Sequence, residues 1–294
     1  MLTLTFGSKK ISTELPAFVM GIVNATPDSV YEDSRGGIER SFELIKQGAD
    51  IIDIGGESTR PGFTEISCAE EIKRIIPVIN AIRKKSNVVI SVDTRKYEVM
   101  KAAYEAGADV LNDVAALEFD ERLADFVAST ELSVILMNNN FSKDKNKNPN
   151  LYNQNCPVDC QNGTNGTKNI AAIDSAIDYL KKRVNFANIH GISNDKIILD
   201  PGIGFGTTFE KDLNLIKNTD KLCELNYPVL MALSRKRCIG LMTASENQEM
   251  KTADKRLAGT LAAGIVSVQK GAKILRVHDV EESVDTLKVL RYTI

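Results

Sequence analysis

An α/β fold, specifically a TIM (β/α)8 barrel in a single domain, is what this 294-residue sequence predicts. Three observations predict it. Eight short apolar segments alternate with helix-like stretches along the whole length. Polar residues cluster just past the C-terminal end of those segments, where a barrel keeps its chemistry. The length suits one such barrel, which takes about 250 residues, better than two average domains.

The segments run in order PAFVMGIVNAT (Pro16 to Thr26), DIIDIGG (Asp50 to Gly56), VVISVDT (Val88 to Thr94), VLNDV (Val110 to Val114), SVILMN (Ser133 to Asn138), KIILDPG (Lys196 to Gly202), PVLMALS (Pro228 to Ser234) and AKILRVHD (Ala272 to Asp279). Each is rich in Val, Ile and Leu without clean alternation, as strands of a parallel sheet buried on both faces require. Amphipathic stretches such as CAEEIKRIIPVINAIRKKS and YEVMKAAYEAGA separate them, with Gly48, Gly107 and Gly271 placed to stop helices before the next strand. Asn138 to Asn169 is crowded with Asn, Lys and Gly and reads as a low-complexity, Asn-rich exposed loop. Composition favours a tolerated insertion there over a lid.

A net charge of -2 gives no global attraction for nucleic acid or anionic membrane, so neither is expected as a partner and a small molecule is. MLTLTFGSKKIS turns polar too early for a signal peptide, and no run reaches spanning length. Five scattered cysteines fit a reducing compartment, so the expected location is cytoplasmic. Cys156 and Cys160 lack the nearby His or third Cys of a metal site, and two histidines in all exclude a multi-histidine one.

A barrel brings Asn24, Asp53, Asp93, Asn112, Asp113, Asp200, Lys236, Arg276 and His278 to one rim. Any one of them could merely cap a helix or face solvent; their convergence from most of the chain is what points to a pocket. Two ligand surfaces are implied. Asp93, Asn112 and Asp200 suit the edge of a heterocycle with adjacent N–H donors. Arg60, Arg276, His278, Ser234 and Asn24 suit an anion of several oxygens, such as a diphosphate, with Mg²⁺ held through Asn24. A heterocycle attached to a leaving diphosphate uses both. In DPGIGFGTT, Gly202, Gly204 and Gly206 permit a turn beside Asp200, whereas Thr207 stands where a dinucleotide fingerprint needs glycine. The loops NATPDSVYEDSRGG and GGESTRPGFTEIS have the composition of segments that close over a substrate, although ordinary connectors would be equally polar.

The strings MGIVNATPDS, DIIDIGGESTRPG, VDTRK, NDV, DPGIGFG, SRK and RVHD, in this order, closely resemble dihydropteroate synthase from about Phe18 to the C-terminus. The resemblance implies a TIM barrel, a homodimer and sulfonamide target, that condenses 6-hydroxymethyl-7,8-dihydropterin diphosphate with para-aminobenzoate to give 7,8-dihydropteroate and diphosphate. It implies a pterin held by Asp93, Asn112, Asp200, Phe205 and Lys236, with Arg276 stacked on the ring. It implies a diphosphate received by Asn24, Thr59, Arg60, Arg276 and His278, with Mg²⁺ at Asn24. Thr59, Pro61 and Ser234 would border the aminobenzoate, and Asp93, Lys236, Arg276 and His278 form the catalytic set.

Several positions depart from the usual family pattern. Val30, Tyr31 and Glu32 replace an aromatic and a short Ser, Asp, Gly run; Thr207 replaces a lysine; and Met137, Asn138 and Asn139 replace a Met-His segment. Two other readings compete: a methyltetrahydrofolate-corrinoid methyltransferase-like domain, and a non-catalytic pterin-binding paralogue. Arg60, SRK and RVHD suit a diphosphate and argue against the methyltransferase; turnover separates the synthase from the paralogue.

Overall fold

The computed structural model describes residues 1–25, 37–57, 65–139, 172–244 and 249–294. An antiparallel hairpin of β1 (Leu2–Phe6) and β2 (Lys9–Thr13) leads into the alternating part of the chain. There follow β3 (Phe18–Asn24), α1 (Ile38–Lys46), β4 (Ile51–Gly55), α2 (Cys68–Arg83), β5 (Val89–Asp93), α3 (Tyr97–Glu105), β6 (Val110–Asp113), α4 (Arg122–Ser129), β7 (Ser133–Met137), α5 (Ala172–Ile189) and β8 (Ile197–Asp200). The last quarter holds α6 (Phe209–Lys217), α7 (Thr219–Cys223), β9 (Leu230–Met231), α8 (Arg237–Met242), α9 (Leu257–Gln269), β10 (Ile274–Val277) and α10 (Val280–Arg291). Each of the eight apolar segments carries one strand of a parallel sheet running β8-β7-β6-β5-β4-β3-β10-β9. A parallel bridge from Leu199 to Val229 joins its two edges, so the sheet closes into a TIM barrel.

The strands are apolar on both faces because each face has a core of its own. Outward residues such as Ile52, Ile54, Ile90, Val92 and Leu111 pack with Leu44, Ile75 and Ile79 of the helices. Inward residues near the strand starts, including Ile51, Val89, Val110, Ile198 and Ile274, form a second cluster inside the barrel. One pleat further on, the inward positions become Asp53, Ser91, Asn112 and Arg276. Helices stop where the glycines foretold, since Gly48, Gly107 and Gly271 take φ of 100°, 105° and 106°, a region closed to most side chains. At the start of α2, Ser67 Oγ accepts the Glu70 N–H at 3.2 Å.

The hairpin is not among the elements expected from the sequence, where MLTLTFGSKKIS reads only as too polar for a signal peptide, although LTLTF alternates apolar and polar residues and Gly7-Ser8 fits a two-residue turn. It plugs the N-terminal end of the barrel. Phe6 is fully buried and meets Phe18 edge-on at 5.8 Å. Gly7, with φ 62°, donates its N–H to Ser133 Oγ at 2.9 Å, and Lys9 pairs with Asp109 at 3.0 Å. The opposite, polar mouth is left for function.

Candidate active site

Beneath the mouth lies a layer of paired charges. Asp53, wholly buried, accepts hydrogen bonds from Ser91 Oγ at 2.6 Å, from Asn112 Nδ2 at 3.2 Å and from Arg276 Nε at 2.7 Å. Arg276 Nη2 donates to Asp93 Oδ2 at 2.8 Å. Burial works against the Arg276 charge, yet Asp53 and Asp93 more than offset this and raise its pKa further. Asp93 Oδ1 is buried and has no hydrogen-bond partner among the described residues. Burial, reinforced by the neighbouring Asp53, Glu71 and Asp113 carboxylates and opposed by Arg276, pushes the Asp93 carboxyl up to about 7.

Asp200, at the end of β8, accepts the Gly202 N–H at 2.7 Å and is raised by burial against the pull of Lys236. The turn that follows uses Gly202, Gly204 and Gly206 at φ 73°, 75° and 65°, and a Cβ on Gly202 would run into the Asn138 carbonyl. Phe205 sits in this turn, with Lys236 Nζ 4.8 Å from its ring centroid. Lys236 also donates to the Ile203 carbonyl. Burial lowers its pKa, with Asp200 and Asp212 opposing. Thr207, where the family usually has lysine, donates to Asp212 at 2.5 Å and braces the same turn.

The SRK turn is held in an unfavourable conformation, with Arg235 at φ 57°. Its guanidinium grips Asp279 at 2.9 and 2.5 Å, its N–H bonds Thr260 Oγ1 at 3.0 Å and its carbonyl receives Arg256 at 2.8 Å. That scaffold sets Ser234 and Lys236 on either side of Arg235. Ser234 Oγ lies 2.9 Å from His278 Nδ1, and Arg40 donates to the His278 carbonyl at 2.7 Å.

The structure therefore brings Asp93, Asn112, Asp200, Phe205, Ser234, Lys236, Arg276 and His278 to the mouth, with Asn24 half-buried at the end of β3. Thr59, Arg60 and Pro61, the altered Val30, Tyr31 and Glu32, and Cys156 and Cys160 lie outside the described residues. Asn138 and Asn139 begin the Asn-rich segment and are anchored: Asn138 Nδ2 donates to the Pro201 carbonyl at 3.0 Å, and Asn139 to that of Val114. Sequence reasoning puts Asp53 on the rim without a role. It also misses a buried cluster in which Lys96 Nζ meets Glu57 Oε2 at 2.7 Å, the Ile66 carbonyl at 2.8 Å and Glu71 Oε2 at 2.9 Å. The Arg-Lys pair of VDTRK is the available signal.

The sequence profile of the family described as "Pterin binding enzyme" matches residues 20–278, which sets the class of protein. A dihydropteroate synthase of Clostridium beijerinckii is 35% identical over 286 residues, covering 95% of this chain and 95% of that protein. The Xanthomonas albilineans dihydropteroate synthase in complex with 7,8-dihydropteroate superposes with a TM-score of 0.78 at 34% identity, covering 99% of this chain and 98% of its own. The Yersinia pestis dihydropteroate synthase with a sulfonamide drug gives 0.83 at 28%, again covering 99% and 98%. The chain belongs to the dihydropteroate synthase family.

Proposed function

We propose that this chain joins 6-hydroxymethyl-7,8-dihydropterin diphosphate to para-aminobenzoate, giving 7,8-dihydropteroate and diphosphate in folate biosynthesis. The observation that carries the reading is the acceptor set in the mouth: Asp93 Oδ1 buried without a partner among the described residues, beside Asn112 and Asp200. A buried carboxylate oxygen without a donor is costly, and a pterin edge supplies the missing N–H groups. Lys236, over Phe205, closes the other side of the heterocycle, and Arg276 lies against its face.

The chemistry asks for little beyond charge placement. The C–O bond between the pterin methylene and the diphosphate breaks, and the electron pair leaves on the diphosphate oxygen. Asp93 stabilises the positive charge left on the pterin methylene. The arylamine nitrogen, neutral near pH 7, then forms the new C–N bond and loses its proton to solvent. Ser234 borders the aminobenzoate, His278 and Asn24 face the departing anion, and the site acts mainly by positioning. Thr59, Arg60 and Pro61 belong to the same proposal, for the diphosphate and the aminobenzoate.

Mg²⁺ is part of the proposal. Among the described residues no three His, Cys, Asp or Glu side chains are grouped to hold a metal. Asn24 offers a neutral amide oxygen. That donor fits a magnesium carried mainly by diphosphate oxygens and water. When bound, the ion would neutralise charge on the leaving group.

We also read the protein as a cytoplasmic homodimer. The outward face of α9 is apolar, with Ala258, Ala262 and Val266 exposed and Leu261 and Ile265 half-buried, which supports a second copy as its cover. No helix among the described residues is long and apolar enough to cross a membrane, and Cys68, Cys223 and Cys238 are free thiols. Because a relative binds a sulfonamide drug, inhibition competitive with para-aminobenzoate is expected here. The function is tested by turnover with both substrates; pterin binding without product would favour the non-catalytic paralogue.

A further inference from the structure

Asp53 touches no proposed substrate atom, yet two proposed ligand-contacting side chains lean on it. Its carboxylate receives Arg276 Nε at 2.7 Å and Asn112 Nδ2 at 3.2 Å on each of its oxygens, with Ser91 Oγ at 2.6 Å beneath. An asparagine amide has one donating and one accepting end, and nothing in its shape decides which faces a ligand. A carboxylate paired with arginine only accepts. It therefore draws the NH₂ end of Asn112 downward and turns Oδ1 the other way. Asn112 thus joins Asp93, across the paired strands β5 and β6, as a second acceptor.

We propose that Asp53 is a positioning residue that fixes the amide polarity of Asn112 and the place of Arg276. In that role it sets the pocket's demand for a ligand edge bearing consecutive N–H donors. The inference deepens the pterin reading and rests on it. Any wholly buried aspartate could serve only to balance Arg276. That role would leave the orientation of Asn112 indifferent.

A reciprocal exchange separates the two roles. Asp53→Asn leaves one acceptor where two cations or amides need it, and Asn112→Asp sets two carboxylates against each other. When both changes are combined, the amide oxygen introduced at position 53 accepts from Arg276 while the amide NH₂ beside it donates to the carboxylate introduced at position 112. That carboxylate again shows an acceptor to the ligand. Binding is measured by fluorescence titration with 6-hydroxymethylpterin, alongside the KM for para-aminobenzoate. Each single change is expected to weaken pterin binding by about tenfold or more, and the double variant to return within about threefold of the parent. The KM for para-aminobenzoate should stay within about twofold throughout. A double variant no better than the weaker single, or Asp53→Asn with parental affinity, would overturn the inference. If a single variant does not fold, the double variant decides. A parent protein that fails to bind the probe would instead overturn the pterin reading itself.

Discussion

Asp93 keeps one oxygen on Arg276 and the other, within the described residues, on nothing. Its carboxyl is pushed up to about 7 by burial and by the Asp53, Glu71 and Asp113 carboxylates, while Arg276 pulls the other way. A pterin edge donates hydrogen bonds and so favours the ionised form. Binding should release a proton below pH 7, and affinity should rise about tenfold from pH 6 to pH 8. Calorimetry in two buffers of different ionisation enthalpy measures this directly; a pH-independent affinity without proton release would contradict it. Stability runs the opposite way. Asp93 and Asp113, the latter raised to about 6 by burial, have folded pKa values above their ordinary ones. The folded protein therefore holds extra protons, and the stability they contribute is lost as pH rises from about 4 to about 7. Neighbouring in the same pocket, Asp200 and Lys236 each offset part of the other's burial and are both proposed to touch the pterin, so Asp200→Ala or Lys236→Ala should lower pterin affinity by about a hundredfold. Near-parental titration of either variant would remove these two residues from the site.

At the scale of elements, the N-terminal hairpin and the mouth are separable. Phe6→Ala empties a fully buried position against Phe18, at the end of the barrel away from the chemistry. It should cost about 3–5 kcal/mol and lower the melting temperature without moving either KM. A changed KM would mean that the plug reaches the site. Gly202→Ala should do the reverse of a plug variant, because φ 73° and the Asn138 carbonyl leave no room for a Cβ beside Asp200. Its pterin affinity should fall even where the folded fraction is intact. The eight barrel strands were legible because burial on both faces writes them as continuous Val, Ile and Leu runs. The helix ends were legible because only glycine takes their closing conformation cheaply. Leu2–Phe6 and Lys9–Thr13 were legible in a different way, as the alternation LTLTF followed by a Gly-Ser turn, and were missed because they lie outside the eight continuous apolar runs.

Across the whole molecule, closure of the sheet turns scattered letters into a site. Asp53 and Arg276 are 223 positions apart in sequence, and the barrel sets them 2.7 Å apart. The rim residues could be placed from the sequence since each ends a strand, and strand ends in a barrel converge. What stayed hidden was direction: no pattern of letters says that Arg276 grips two carboxylates, that Ser234 meets His278, or that Asn112 shows its oxygen upward. The same closure leaves α9 on the outside with an apolar face. If α9 is covered by a second copy as proposed, the parent should sediment as a dimer and Ala262→Arg as a monomer; a monomeric parent would contradict the dimer, and an unchanged dimer would place the interface elsewhere. Turnover at this mouth is measured by supplying the purified chain with the dihydropterin diphosphate and Mg²⁺, with and without para-aminobenzoate. Dihydropteroate and diphosphate are then followed together. We predict dihydropteroate only when both substrates are present, with diphosphate formed in at least equal amount; tight pterin binding with no dihydropteroate would contradict it.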